Sequence, residues 1–426
     1  MAQKIQSITG MSDILPADVC LWRTLEATAR RQFENYGFSE IRTPLLEETA
    51  LFARGIGTDT QVVQKEMYTF EDRGGDSVTL RPEGTAGVMR AYLQHSLDAA
   101  DGITKLYYMG PMFRYERPQK GRFRQFHQIG VEIIGTDSPG ADAEAVIMMD
   151  RLAKALGISD FRLEINSLGT LEERKPYLTN LIDYFKGVSG EMCADCIKRL
   201  DTNPLRILDC KQEACREKAK GAPTILDAIG YGSRQAFEAF KTSLHNANVA
   251  FVVNPRIVRG LDYYEKTTFE FVSDKLGAQS TFSGGGRYSG LAMELGAKKP
   301  VPAVGFSIGC ERLILLMEEA KKKDGAGQNL SGVYFIGLNE GCFYECQKLV
   351  QRARDAGVKA EMDYTAKSMK SQMRRANKLG YKYAAIVGDD EVAQGVVQLK
   401  NLASGEQNKM GIGDVINRAK NLPDRL

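Results

Sequence analysis

Charged and amide side chains stand inside strand-like apolar runs of this chain, and they are the residues most able to do chemistry. In Phe123 to Ile134, the alternation of a strand puts Arg124, Phe126, Gln128, Gly130 and Glu132 on one face. A guanidinium, an amide and a carboxylate on a half-buried sheet are costly unless they pair with one another or with a ligand. Gln128 and Glu132 flank Gly130, which has no side chain, so a small ligand is expected to lie between the two polar groups. Arg114 ends the preceding run, Tyr107 to Arg114, and the polar turn Arg117 to Arg122 joins the two runs into a β-hairpin. For one hairpin alone, a structural ion-pair network explains these charges equally well.

Other segments repeat the pattern. RPEGTA (Arg81 to Ala86) sets Arg81, Glu83 and Thr85 on alternate positions ahead of a helix, with Pro82 and Gly84 forming a tight turn that carries Glu83. Ile257 to Phe271 embeds Arg259, Asp262, Tyr263 and Tyr264 at the mouth of a strand. Phe282 to Gly290 contains three successive glycines, which let a backbone approach a ligand or another strand closely. Ala303 to Met317 reads as a strand, a turn at Gly309 and a helix opening with Glu311 and Arg312.

Several chemistries are excluded cheaply. There is no G-x-x-x-x-G-K-[ST] phosphate loop, no G-x-G-x-x-G after a strand and no H-E-x-x-H. Three histidines leave little room for imidazole-rich metal sites or for Ser-His and Cys-His catalysis. With 57 Lys+Arg against 54 Asp+Glu, the net charge of +3 requires any polyanion to be met by local basic patches. No basic start followed by an apolar run suggests a signal peptide, and no run approaches the ~18 apolar residues of a membrane helix. Eight cysteines scattered over 426 residues suit a reducing cytoplasm.

The elements that must position these residues fall into three parts. Helix and strand signals alternate through about residue 169 and resume at 250 to 325, which reads as one catalytic core (1–169 and 250–325). Residues 170–249 are helical, rich in Lys and Glu, and look like an insertion. After a stretch of linker composition (Lys321 to Gly332), residues 326–426 alternate strand and helix as a small α/β domain around a mostly parallel sheet. The helix there, near Ser368 to Leu379, carries Lys370, Arg374, Arg375 and Lys378 and no acid. In the insertion, Cys193-x2-Cys196 and Cys210-x4-Cys215 have a spacing compatible with a structural Zn²⁺ knot. The second pair is loosely spaced, and reduced thiols without a metal are the expected state. Cys310, Cys342 and Cys346 read as core positions.

Taken together these segments resemble the class II aminoacyl-tRNA synthetases and, within them, the histidyl-tRNA synthetase family. Gly37 to Thr49, Phe113 to Gly135 and Gly305 to Met317 look like the three class motifs; RGLDYY (Arg259 to Tyr264), RPEGT (Arg81 to Thr85) and TNPLRILDCK (Thr202 to Lys211) are more specific. Ser289 departs from the family pattern, which has Asp there.

The resemblance implies an α+β core, an antiparallel sheet flanked by helices, with a helical insertion and a C-terminal α/β anticodon-binding domain. It implies activation of histidine by ATP with Mg²⁺ and transfer to the 3′ end of tRNA-His, by a cytoplasmic homodimer. Arg259 and Arg114 would be catalytic. Glu83, Gly84, Thr85, Gln128, Glu132, Tyr263 and Tyr264 would bind histidine, with Glu132 and Tyr264 reading the imidazole. Arg114, Glu116, Arg122 and Arg312 would bind ATP, and Arg117, Gln119, Arg374 and Arg375 would meet the tRNA. A catalytically inactive paralogue, acting as a regulatory subunit of ATP phosphoribosyltransferase, is the alternative the same resemblance leaves open.

Overall fold

The structure is a computed structural model that describes residues 4–57, 60, 62–97, 102–258, 263–324, 331–365 and 367–420. The chain divides into two compact units, one up to Lys323 and one from Asp324 onward. Strands of the first unit are β1 (Ser39–Glu40), β2 (Leu46–Glu48), β3 (Tyr68–Glu71), β4 (Ser77–Leu80), β5 (Thr104–Phe113), β6 (Gln125–Ile134), β7 (Arg162–Ser167), β8 (Val252–Val253), β9 (Glu265–Val272), β10 (Thr281–Tyr288) and β11 (Ala303–Gly309). One eight-stranded sheet has the order β1-β5-β6-β11-β10-β9-β7-β8. Its pairs from β5 through to β7 are antiparallel, and β1 and β8 join the two edges in parallel. A smaller antiparallel sheet, β2-β4-β3, lies apart from it.

The period of two in β6 decides which face does what. Ile129, Val131 and Ile133 are buried in a core shared with Leu25, Phe33, Met149, Leu152 and Leu313 of three helices, Pro16–Asn35, Pro139–Ala155 and Cys310–Asp324. Each such side chain stabilises the fold by about 1.5–3 kcal/mol on burial, which leaves Gln128, Gly130 and Glu132 to the opposite face. The helix boundaries follow local chemistry. Pro16 opens the first helix, where its missing N–H costs nothing, and Gly37 (φ 79°) turns the chain out of it. The Ser138 hydroxyl accepts from the Gly140 amide to start the second.

One expected strand is much shortened. Of Phe38 to Thr43, only β1 pairs with β5; three residues later the Thr43 carbonyl accepts from Arg81 instead of joining the ladder. The helices of residues 170–249 lie within the first unit. Leu181, Phe185, Cys196 and Ile207 share a core with Tyr108, Ile134, Tyr264 and Tyr288 on the sheet's site face. A capping box of Thr170 and Glu173 fixes the start of the first of them, Leu171–Gly187.

The second unit has β12 (Ser331–Gly337), β13 (Ala360–Met362), β14 (Tyr381–Val387), β15 (Val396–Asn401) and β16 (Gln407–Gly411) in the order β13-β12-β14-β15-β16. The first three are parallel and the last two antiparallel, so the sheet is mixed rather than mostly parallel. Among the described residues, no helix is long and apolar enough to cross a membrane.

Candidate active site

The site face of the large sheet carries a cavity of about 340 Å³ with two chemically different ends. At one end are three guanidiniums. Arg114, just past β5, donates from Nε to the Pro82 carbonyl oxygen (2.8 Å) and lies 5.3 Å from the centre of the Phe126 ring. Arg122, in the hairpin turn, pairs with the buried Glu116 carboxylate. Arg312 sits in the first turn of Cys310–Asp324, because β11 runs straight into that helix; it donates from Nε to the Gly121 carbonyl (3.0 Å) and from a terminal nitrogen to the Thr281 carbonyl. Burial lowers the Arg312 pKa, and the neighbouring Arg122 charge lowers it further. Three cations crowded around Glu116 are poised for a polyanion.

Carboxylates, amides and phenols make the other end. Glu83, at the turn before the helix Thr85–Gln94, accepts from the Thr85 and Ala86 amides (2.6 and 2.9 Å). Burial pushes its carboxyl up, while those amides and the Arg114 charge pull it down. Gln128 and Tyr263 line the cavity with Thr85 and Tyr264. Gln128 Oε1, the Tyr263 hydroxyl and the Ser283 hydroxyl are buried without a hydrogen-bond partner among the described residues. Buried polar atoms left unpaired each cost about 1–3 kcal/mol, which a polar ligand would recover.

Glu132 lies one layer deeper than the cavity wall. Its carboxylate accepts from the Thr85 hydroxyl (2.8 Å) and from the Tyr288 phenol. Burial drives the carboxyl up to about 8, against the pull of those two hydrogen bonds. Tyr263, Tyr264 and Tyr288 pack ring against ring around it, with centroids 4.7 to 6.4 Å apart.

The space over Gly130 is not open, contrary to the expectation of a ligand lying between Gln128 and Glu132. The Tyr108 ring fills it from the neighbouring strand: a Cβ on Gly130 would come 2.3 Å from that ring, and one on Gly84 would come 2.2 Å from it. Gly84 thus makes room for a wall residue. Arg259 and Asp262 lie outside the described residues.

Sequence spacing missed several parts of this arrangement. Tyr288 and Ser283 come from β10, and Tyr108 from β5; their positions follow from strand order, which no local pattern announces. Glu311 accepts from the His127 amide (2.8 Å) and faces His127 Nδ1 (3.0 Å), tying the helix Cys310–Asp324 to β6. Arg287, buried in the glycine-rich strand, binds Asp142 at 3.0 Å and the carbonyls of Thr136 and Ser138. Burial raises Asp142 to about 6 despite that partner. Gly305 to Gly309 also reads G-x-S-x-G, but Ser307 lies mid-strand between Gly130 and Gly284 rather than on the sharp strand-to-helix turn a nucleophile needs.

The remaining expected contacts are dispersed. Arg117 and Gln119 are exposed in the hairpin turn. In the second unit, Arg374 and Arg375 are exposed on the helix Met369–Lys378, with Arg375 3.3 Å from Glu361. Cys193, Cys196, Cys210 and Cys215 come together among the helices of residues 170–249, with sulfurs all within 4.8 Å of one another. Cys310, Cys342 and Cys346 are buried, as expected.

An antiparallel six-strand core carrying a two-ended pocket, entered by an arginine-bearing hairpin and backed by a strand–helix unit with a second arginine, is the catalytic fold of a class II aminoacyl-tRNA synthetase. The family model for histidyl-tRNA synthetase matches residues 10–173 and 203–313, and that for the anticodon binding domain matches 332–422. A histidine–tRNA ligase of Syntrophotalea carbinolica is 47% identical over 408 residues, 96% of each chain. Another, of Geobacter sulfurreducens, is 47% identical over 406 residues, covering 95% of this chain and 96% of its own. Apo histidyl-tRNA synthetase of S. aureus superposes with a TM-score of 0.80 at 35% identity, over 98% of this chain and all of that one. The chain belongs to the histidyl-tRNA synthetase family.

Proposed function

We propose that this pocket joins histidine to ATP as histidyl-adenylate, releasing pyrophosphate, and passes the histidyl group to the 3′ end of tRNA-His. The observation that carries this reading is the two-ended cavity: a cationic end for a triphosphate, and a carboxylate–phenol end with unpaired buried acceptors for an amino acid. In the first step a histidine carboxylate oxygen attacks the α-phosphorus, and the bond to the pyrophosphate oxygen breaks. The carboxylate is already ionised, so no protein base is needed. Negative charge builds at the α-phosphate, where fixed cations lower the barrier most. Arg114 would hold that phosphate and Arg259 would bridge it to the histidine carboxylate, while Arg122 meets the γ-phosphate. Arg312 fixes the hairpin turn against β10 through Gly121 and Thr281, and would pack on the nucleotide.

Mg²⁺ fits the same end: Glu116 and Glu270 are carboxylates lining the cavity beside the arginines. When bound with ATP, it would supply further charge neutralisation at the phosphates. Glu83, Thr85 and Gln128 would take the α-ammonium group. Glu132 and Tyr264 would read the imidazole, with Glu132 exchanging its Thr85 hydrogen bond for an imidazole N–H. Other amino acids would not offer Glu132 a ring N–H in exchange for its Thr85 hydrogen bond, a basis for rejection by ~10⁴ or more. In transfer, the terminal ribose hydroxyl attacks the carbonyl, AMP leaves and its phosphate accepts the ribose proton. Arg117 and Gln119 would approach the acceptor end, and Arg374 and Arg375 the anticodon arm.

We also propose a core of 1–169 and 250–325, an insertion domain at 170–249 and an anticodon-binding domain at 326–426, working as a cytoplasmic homodimer. Leu45 and Leu46, in the segment like the class's interface motif, are 43% exposed and favour a partner surface. The regulatory-subunit alternative has no use for the guanidinium cluster, and nothing further favours it. The test is charging of tRNA-His with labelled histidine by the purified chain with ATP and Mg²⁺; no charging of a competent tRNA would overturn the proposal.

A further inference from the structure

We propose that Cys193, Cys196, Cys210 and Cys215 bind one structural zinc ion as a tetrathiolate, and that this ion anchors the segment which delivers Arg206 to the active-site cavity. All four sulfurs lie within 4.8 Å of one another, and Cys193 Sγ is 3.8 Å from Cys210 Sγ. Four thiolates at the ~2.3 Å zinc–sulfur distance occupy the corners of a tetrahedron whose edges are about 3.8 Å. The one pair at 3.8 Å matches such an edge, and the 4.8 Å limit on the others keeps all four within reach of one mononuclear ion. A disulfide needs about 2.05 Å between two sulfurs and would account for pairs, not for four converging. A polynuclear iron–sulfur cluster interposes several metals and sulfides, and so needs a wider spread than is found here.

Two short helices begin at the cluster. Cys193 immediately precedes the helix Ala194–Thr202, and Cys196 lies in its first turn. Cys215 lies in the first turn of Glu213–Lys220, and its sulfur accepts from the Cys193 amide at 3.2 Å. Helices of nine and eight residues are marginal without outside support. A zinc site supplies that support, since its binding free energy is folding free energy. Three of the four cysteines are buried, so the ion would be closed to solvent as structural sites are.

Between the two cysteine pairs runs the turn Pro204–Ile207. Arg206 lines the active-site cavity, and Asn203, Pro204 and Leu205 line an adjoining cleft together with Tyr264. Anchoring 193–196 to 210–215 therefore fixes the base of the turn that reaches the site. This consequence rests on the ligase reading, whereas metal content does not, so the two can fail separately.

The experiment measures metal in the full chain purified under reducing conditions, by atomic emission, followed by exchange with Co²⁺. One zinc per chain is expected, with Co²⁺ giving the charge-transfer and intense d–d absorption of a tetrahedral tetrathiolate. Cys196→Ser and Cys210→Ser should each lose the metal. If these variants fail to fold, Co²⁺ titration of the unmodified chain decides. Stripping the zinc should lower histidine-dependent pyrophosphate exchange at least ~10-fold, a loss that Zn²⁺ restores. A metal-free chain whose four thiols all react with a thiol reagent and which takes up no Co²⁺ would overturn the proposal, as would a disulfide within the cluster or iron in place of zinc. Stripping that leaves exchange unchanged would overturn the anchoring role of the ion.

Discussion

Glu132 on β6 and Gly305 on β11 face each other across the sheet, and the Glu132 carboxylate fills the room that a side chain at 305 would take. A Cβ on Gly305 would come 1.9 Å from Glu132 Oε2. The glycine is there for its neighbour's side chain rather than for its own backbone freedom.

Gly305→Ala should therefore displace Glu132 from Tyr288 and Thr85. The expected cost is about 1–3 kcal/mol of stability from overpacking, read by urea unfolding. KM for histidine should rise by roughly 10-fold or more, with KM for ATP changing much less.

The burial of Glu132 sets a pH dependence. Its carboxyl is raised to about 8 in the folded chain, well above the ~4.3 of an exposed Glu. The folded state thus holds a proton that the unfolded state has lost between these values, and stability from this group falls as pH rises from about 4.5 to 8. Binding a hydrogen-bond donor favours the ionised form, so histidine binding should release a proton in this window and kcat/KM for histidine should climb towards pH 8. In Glu132→Gln the limb near 8 should vanish along with most activity, leaving only titration of the substrate imidazole near ~6.5. An unchanged profile in the variant would count against Glu132 as the group being read.

Arg114 and Arg312 should separate chemistry from folding. Arg114→Gln should lower exchange by about 10²–10³ in kcat, the usual effect of removing one donor to developing charge, with a stability loss limited to its single hydrogen bond to the Pro82 carbonyl. Arg312→Gln should also reduce exchange but cost more stability, because it leaves the Gly121 and Thr281 carbonyls without their donor. Exchange kinetics set beside denaturation curves distinguish the two.

In the second unit, Arg374→Glu with Arg375→Glu should leave histidine-dependent exchange intact and weaken aminoacylation through KM for tRNA. If both meet phosphates, the slope of log K against log salt should fall by about one per residue. An equal loss in exchange would contradict a role confined to tRNA.

How much of this was legible in the sequence depends on distance along the chain. The β5–β6 hairpin, the β11-to-helix unit and the turn before Thr85 are local, and alternation in β6 correctly separated Ile129, Val131 and Ile133 from Gln128 and Glu132. What spacing could not supply is sheet order. Tyr288 reaches Glu132 because β11, which follows β10 in the chain, lies between β10 and β6. Arg287 finds Asp142 across 145 residues and Glu311 finds the His127 amide across 184. The same limit misled the reading of Gly130: its missing side chain looked like space for a ligand, but Tyr108, directly across the ladder, uses that space. The looser spacing of Cys210 and Cys215 likewise gave little sign that the turn between the pairs brings all four sulfurs within 4.8 Å of one another.

The most direct test of the central claim is amino-acid-dependent exchange of pyrophosphate into ATP, run without tRNA across all twenty amino acids. Exchange with histidine alone is the predicted result, because on the proposed reading its imidazole offers Glu132 a ring N–H in place of the Thr85 hydroxyl. Folded chain with Mg²⁺ that supports no exchange with any amino acid, or that prefers another one, would contradict the account.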